Sequence, residues 1–213
     1  MNDTSNYFDV FSLPRKLNVD TAALETAFYA QSRKLHPDRF ASKPVAEQEA
    51  ALQQASQLND AYRTLKEPIA RTEYLLSLEG VQMEEQSRAA TDAAKAAGVA
   101  KKQVAPPELL EEAFELNMQL EEMRANKKMG EDDPQLAKDL NAAKANFEGM
   151  LAASQAELAS LWSAWDAALE SEDVAAKDKA KMAMVALLNR RSYIRNLVRD
   201  VNEADCKSLE RKS

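Results

Sequence analysis

Glycine occurs four times in 213 residues, and this scarcity restricts the fold more than any other feature of the chain. Hairpin turns, barrel corners and phosphate-cradling loops need backbone angles that glycine adopts at little cost. A β-barrel, a doubly wound nucleotide-binding sheet and a Gly-rich phosphate loop are therefore excluded. The chain is rich instead in Ala, Leu, Glu, Lys, Gln and Met, which favour the helix. An all-α protein is the expectation, and 213 residues suffice for one or two domains with a real core.

Several functional classes fall away on composition. No run approaches the ~20 apolar residues of a membrane-spanning helix. The segment Met1 to Phe8 has neither a basic nor an apolar leader region, so a cytoplasmic protein with no membrane association is expected. A lone cysteine, Cys206, forbids an intramolecular disulfide and suits a reducing compartment. A lone histidine, His36, removes most histidine-based metal sites, and no cofactor is expected. The formal net charge of −7 has the wrong sign for non-specific nucleic-acid binding.

Three zones divide the chain. Residues 1–80 hold most of the aromatics and end in Gly80. Residues 81–106 are poor in bulky apolar side chains and read either as a weak helix or as a solvated linker. Residues 107–213 show long apolar periodicity with few breakers. In the first zone the spacing predicts a short helix from Tyr7 to Leu13, stopped by Pro14. A second helix, capped by Asp20, carries Leu24, Phe28 and Leu35 on one face. A third helix after Pro44 has Leu52, Ala55, Leu58, Tyr62 and Leu65 on its apolar line, so that the two helices form an antiparallel hairpin. Pro68 starts a fourth helix that runs to Gly80. Beyond Pro107 three long helices are predicted, about 107–127, from Pro134 or Gln135 to about 170, and 172–205, and their short turns make them an antiparallel three-helix bundle. Gly149 weakens the second of these by about 1 kcal/mol relative to Ala.

The break between the second and third helices reads His36-Pro37-Asp38, with Arg33 and Lys34 before it and Arg39 after it. Pro37 stiffens such a corner and lowers the cost of ordering it on docking, and the basic residues would steer an acidic partner surface towards it. An acid–base use of His36 with Asp38 has no nucleophile or oxyanion loop to serve, so an enzyme is not expected. This zone resembles the J-domain, the co-chaperone module that stimulates ATP hydrolysis by DnaK-class chaperones. The likeness runs through Tyr7-Phe8, the basic end of the second helix, His36-Pro37-Asp38-Arg39-Phe40 and Asn59-Asp60-Ala61-Tyr62-Arg63-Thr64-Leu65. It implies chaperone contact through His36, Pro37 and Asp38, supported by Arg33, Lys34 and Arg39.

The pattern Asn59 to Tyr62, then Pro68, Arg71, Glu73-Tyr74-Leu75-Leu76 and Gly80, narrows this to the HscB-type J-proteins of iron–sulphur cluster biogenesis. That family adds a C-terminal helical bundle, the HscB-like oligomerisation domain, to the J-domain. General-purpose J-proteins carry a Gly/Phe-rich stretch and a Cys-rich zinc module instead, which four Gly and one Cys cannot supply. The resemblance implies a J-domain over 1–80, a linker over 81–106 and a scaffold-binding bundle over 107–213. It also implies two partners, an HscA/DnaK-class chaperone and an IscU-like scaffold protein, served by a monomer or weak dimer.

On a helical wheel at ~100° per residue, Leu109, Ala113, Leu116, Leu120 and Met123 form a core stripe, while Leu110, Phe114 and Met118 fall well round from it. Glu111, Glu115 and Glu122 flank the second set, which is expected to be exposed and to meet a partner. The HscB resemblance assigns scaffold binding to Leu110, Glu111, Phe114, Glu115, Met118 and Glu122, with Tyr193 as the aromatic beside them; the family commonly has an acidic residue where Met118 stands. Packing of Leu110 and Phe114 against the linker or the J-domain is the competing reading. Trp162 and Trp165 read as packing residues, and the basic side chains of the last helix, from Lys177 to Arg199, as a solvated face that could also pair with Glu-rich helices nearby. Two other readings remain: a J-protein with a different client, and an all-helical adaptor with no chaperone partner.

Overall fold

The computed structural model describes residues 6–81 and 106–209, with side chains described through Ala204. The linker expected over 81–106 lies outside the described residues except at its two ends, and so does the side chain of Cys206. Among the described residues the regular structure is entirely helical: α1 (Tyr7–Val10), α2 (Thr21–Lys34), α3 (Val45–Lys66), α4 (Pro68–Leu78), α5 (Leu110–Met129), α6 (Pro134–Glu170) and α7 (Val174–Leu209). Single 3₁₀ turns occupy Pro37–Arg39 and Pro107–Leu109. Two compact units result, and they do not follow chain order. One comprises 1–83 with 159–184, the other 84–158 with 185–213, so the turn-proximal parts of α6 and α7 belong to the first unit.

Local chemistry sets most boundaries. The Asn6 side chain accepts from the Phe8 and Asp9 amides, and Asp9 reaches back to the Asn6 amide, a reciprocal cap that starts α1. The predicted run to Leu13 ends instead at Val10. Ser12 takes a positive φ of 54°, and the Leu13 amide turns back to the Phe8 carbonyl before Pro14 is reached. Asp20 caps α2 through the Ala22 and Ala23 amides at 3.0 Å. Pro68 occupies the first turn of α4, where its missing N–H costs nothing. Gly80 (φ 78°) and Gly130 (φ 76°) close α4 and α5 in the left-handed region. Gly149 is accommodated inside a continuous α6. The last helix begins at Val174, because Glu172 spends a positive φ of 53° in the turn.

In the first unit α2 and α3 are antiparallel. Glu25 and Phe28 of α2 meet Tyr62 near the end of α3, by a 3.1 Å hydrogen bond and a 4.1 Å ring stack, while Leu35 shares a groove with Ala51 near its start. Phe8, Leu17, Leu24, Leu58, Ala61, Leu65, Leu75 and Leu76 are buried. The predicted α3 line needs one correction: Leu52 is 70% exposed and Ala51 is buried in its place. Counted from Leu58 at ~100° per residue, Ala51 lies about 20° from the buried direction and Leu52 about 120°. Trp162 and Trp165 are buried in this unit. The Trp162 indole N–H donates to Thr72 Oγ1 (2.9 Å) and that of Trp165 to the Arg15 carbonyl (3.2 Å).

The second unit is built on Leu109, Ala113, Leu116, Leu120 and Met123 of the α5 segment, Leu136, Leu140 and Phe147 of α6, and Ile194, Leu197 and Val201 of α7. Arg190 pairs with Glu157 while Arg191 donates to Ser154 Oγ (2.7 Å), so α6 and α7 run antiparallel. Acidic Glu111 and Glu112 in the first turn of α5, and Lys127 and Lys128 in its last, complement the helix dipole.

Candidate functional site

Two surfaces gather the residues singled out from the sequence. The first is the corner between α2 and α3. Pro37 cannot continue α2 and holds His36 extended (φ −60°, ψ 132°), so the chain leaves the helix and makes one 3₁₀ turn. His36, Pro37, Asp38, Arg39, Arg33 and Lys34 are all exposed. The side chains of His36 and Asp38 are 60% and 89% exposed, so the corner projects its imidazole and carboxylate into solvent. The imidazole also acts locally, since its Nδ1 accepts the Asp38 amide at 3.3 Å and caps the turn. Asp38 Oδ2 lies 3.5 Å from the same nitrogen. Arg39 folds back, its Nη1 3.5 Å from the Arg33 carbonyl at the end of α2. Three cations are thus concentrated at one helix C-terminus, where the dipole favours them.

Beside this corner runs an apolar groove of about 320 Å³ lined by Leu35, Pro37, Phe40, Val45, Leu52 and Ala55 among others. Sequence reasoning missed it, because Leu52 was placed on the buried line; the seven-residue step from Leu58 back to Ala51 was the signal that would have freed it.

The second surface is the outer face of α5. Leu110, Phe114 and Met118 are 55%, 67% and 59% exposed, in a line one turn apart. Glu111, Glu115 and Glu122 are exposed around them. Leu109, Ala113, Leu116, Leu120 and Met123 supply the core, so the helix spends large apolar side chains on both faces. Tyr193 is half-buried and packs against that same core. Burial, then the neighbouring Asp200 carboxylate, pushes its hydroxyl above the ordinary phenol range.

Elsewhere in the first unit several polar groups are turned inward and bonded, although the buried Arg71 Nε has no partner. The buried Asp166 carboxylate accepts from the Leu17 amide (2.8 Å), the Asn18 amide (2.9 Å) and the Asn18 side-chain amide (2.8 Å), pinning the segment that leads into α2. Arg71, also buried, donates to the Leu65 carbonyl (2.6 Å) and lies 4.7 Å from the Trp162 ring. Burial pulls its guanidinium down, against the opposing pull of Asp166 and Glu67. Tyr74 stacks on Tyr7 at 4.4 Å and accepts the Tyr7 amide at 2.9 Å.

Among the described residues no cluster of three or more His, Cys, Asp or Glu has metal-binding geometry, and no described helix is long and apolar enough to cross a membrane. No protein-family model matches the chain. A co-chaperone protein HscB homolog of Vibrio cholerae serotype O1 (strain O395) is 47% identical over 78 residues, covering 37% of this chain and 46% of that protein. Another, from strain M66-2, is 38% identical over 120 residues, covering 56% of this chain and 62% of that protein. The chain therefore spans between about half and three fifths of the length of these relatives. The crystal structure of human co-chaperone protein HscB shares the fold, with a TM-score of 0.57 and 24% identity over 93% of this chain and 83% of that one. In sequence, then, the chain is similar to the co-chaperone protein HscB homologs of Vibrio cholerae over part of their length, and it shares the all-α fold of the human protein.

Proposed function

We propose that this protein is a cytoplasmic co-chaperone of iron–sulphur cluster biogenesis with two working surfaces, and that it is not itself an enzyme. Residues 1–80 act as a J-domain. Their tip, His36-Pro37-Asp38, with Arg33, Lys34 and Arg39 behind it, docks on an HscA/DnaK-class chaperone and stimulates its ATPase. Residues 107–213 carry the scaffold protein, an IscU-like client, on Leu110, Glu111, Phe114, Glu115, Met118 and Glu122, with Tyr193 alongside. Holding client and chaperone on one chain raises the local concentration of one at the other.

The observation that carries the reading is the exposure of the His36 and Asp38 side chains at a proline-stiffened corner between two antiparallel helices. The relatives named HscB support the same assignment. The bundle surface is supported by the exposed line of Leu110, Phe114 and Met118, because a bundle helix gains nothing in stability by leaving large apolar side chains in water.

The experiment is ATP turnover by a purified DnaK-class chaperone with and without the protein. His36→Gln keeps the helical spectrum and loses the stimulation; a variant that stimulates as well as the parent overturns the assignment. Phe114→Ala weakens binding of an IscU-type scaffold and leaves ATPase stimulation by the J-domain intact. Unchanged scaffold affinity removes α5 from the client site and points to a J-protein with a different client.

A further inference from the structure

The apolar groove at the start of α3 and the outer face of α5 are both open to solvent, and their edges carry opposite charge. The groove, of about 320 Å³, is walled by Leu35, Pro37 and Phe40 on one side and by Val45, Ala51 and Leu52 of α3 on the other. Val45 and Leu52 are 68% and 70% exposed, and every residue from Ala41 to Ala50 is exposed, so the first turns of α3 stand clear of the core. The two walls differ in charge. The turn side has Arg33, Lys34, Arg39 and Lys43 against Asp38, whereas the α3 side has Glu47 and Glu49. Lys43 is held at the groove, because its carbonyl accepts from the side chain of Gln48, a lining residue, at 2.8 Å. The α5 face has the matching form. Leu110, Phe114 and Met118 stand in line one turn apart. At ~100° per residue, Glu111, Glu115 and Glu122 lie about 60–100° to one side of Phe114, and Asn117 lies about 60° to the other. Glu121, closer to the line, is paired with Arg124.

We propose that this groove receives the α5 face of a second copy of the chain. Leu110, Phe114 and Met118 enter as the apolar anchors of a helix laid in a groove. The glutamate edge of α5 then meets the basic turn wall, and the Asn117 edge meets the wall that carries Glu47 and Glu49. The opposite placement sets glutamate against glutamate, so the charges fix one polarity of docking. Between Glu108 and Glu122 there are six Glu and no Lys or Arg, so pairing two α5 faces with each other brings two such acidic segments together and is disfavoured. Each copy offers one groove and one face. The contact is therefore head-to-tail, and two copies close on each other or longer assemblies grow. It covers the bundle surface of one copy and flanks the His36 corner of the next. On the two-surface reading above, a concentrated pool of the protein is thereby held idle; only that consequence rests on the reading, and the contact does not.

The full chain alone tests the contact, by its mass in solution from micromolar to near-millimolar concentration. The weight-average mass should rise above the 23.7 kDa of one chain, and the association should weaken several-fold from low to high salt. The mass of a single chain throughout overturns the proposal, and an association indifferent to salt overturns the charge match that assigns the occupant. Leu52→Glu spoils the groove and Phe114→Glu spoils the face; both positions are exposed, and the helical spectrum of each variant verifies its fold. Each variant by itself should remain a single chain. Their equimolar mixture should form a 1:1 pair and grow no further, because one still offers a face and the other a groove. Self-association of either variant to the level of the parent, or a mixture that stays monomeric, overturns the head-to-tail arrangement. Lys43→Glu should weaken the parent's association several-fold while Lys43→Arg leaves it unchanged; equal association by the two overturns the pairing of the turn wall with the glutamate edge. These measurements contain neither chaperone nor client. Their failure leaves the proposed function standing, and a failed ATPase or scaffold-binding assay leaves the contact standing.

Discussion

At the Asp166 corner of the first compact unit, polar groups are turned inward and most are met, Arg71 Nε being the buried donor left without a partner. Asp166 takes three N–H donors, Trp162 and Trp165 bond through their indole nitrogens, and Arg71 reaches a backbone carbonyl. At the His36 corner of the same unit the polar groups are turned outward. His36 and Asp38 touch only each other, by the 3.3 Å amide bond and the 3.5 Å approach of Oδ2 to Nδ1, and otherwise face water, and Arg33, Lys34 and Arg39 stand exposed around them. The first arrangement holds a segment in place, since an unmet buried group costs about 1–3 kcal/mol. The second holds little together: a turn cap, one long bond to the end of α2 and a dipole gain of about 0.3–1 kcal/mol per cation. That is little stability to gain from gathering three cations and a carboxylate in solvent beside a rigid proline, which is why the cluster is proposed as the docking surface. The outer face of α5 follows the same logic in apolar form: its exposed Phe114 and Met118 stabilise nothing, whereas Leu116 and Leu120 build a core.

Substitutions should therefore separate stability from partner engagement, and the largest effects on stability belong to the inward corner. Trp165→Ala empties a fully buried site and removes the indole bond to Arg15, so it should cost about 3–5 kcal/mol. Urea unfolding followed by the fluorescence of Trp162, in the same unit, measures it; a loss under about 1 kcal/mol contradicts the packing described. Asp166→Ala comes next, at about 2–4 kcal/mol, because it strands two backbone amides and a side-chain amide. Hydrogen exchange should show the 17–18 amides opening first. Tyr74→Phe keeps the stack on Tyr7 and deletes one acceptor, a change of about 1 kcal/mol in the same unfolding experiment. The smallest effects belong to the outward surfaces. His36→Gln and Phe114→Ala should each leave stability within about 0.5 kcal/mol, while the first abolishes ATPase stimulation and the second weakens scaffold binding. A tip variant that unfolded the protein would erase the contrast between the corners.

Much of the fold was legible because its determinants are local. Asp20 caps, Pro37 breaks, Pro68 starts and Gly130 ends a helix by forces that act within one turn of chain. The α5 wheel worked for the same reason: its two apolar stripes follow from residue spacing, and burial fell on the predicted one. Where the local signal was ambiguous the reading slipped by one position, as at Leu52. A leucine draws the eye on an apolar line, but the alanine beside it sat nearer the true buried direction. The end of α1 slipped too, since Phe11 is buried while Ser12 takes the left-handed turn, and a proline two residues on looked like a sufficient stop.

The sequence by itself determined that the chain is helical, where its helices break, and that a proline-stiffened His-Asp corner and an off-core line on α5 would exist, because each depends on neighbours no more than a few turns away. Only the tertiary structure decided that Trp162 would bond Thr72 and that Asp166 would hold Leu17 and Asn18. These partners lie 90 residues or more apart along the chain, and no periodicity records which distant donor will meet a buried carboxylate. The same is true of the compact units: 159–184 joins 1–83 through packing, which depends on complementary surfaces meeting in space and not on the order in which the residues are strung.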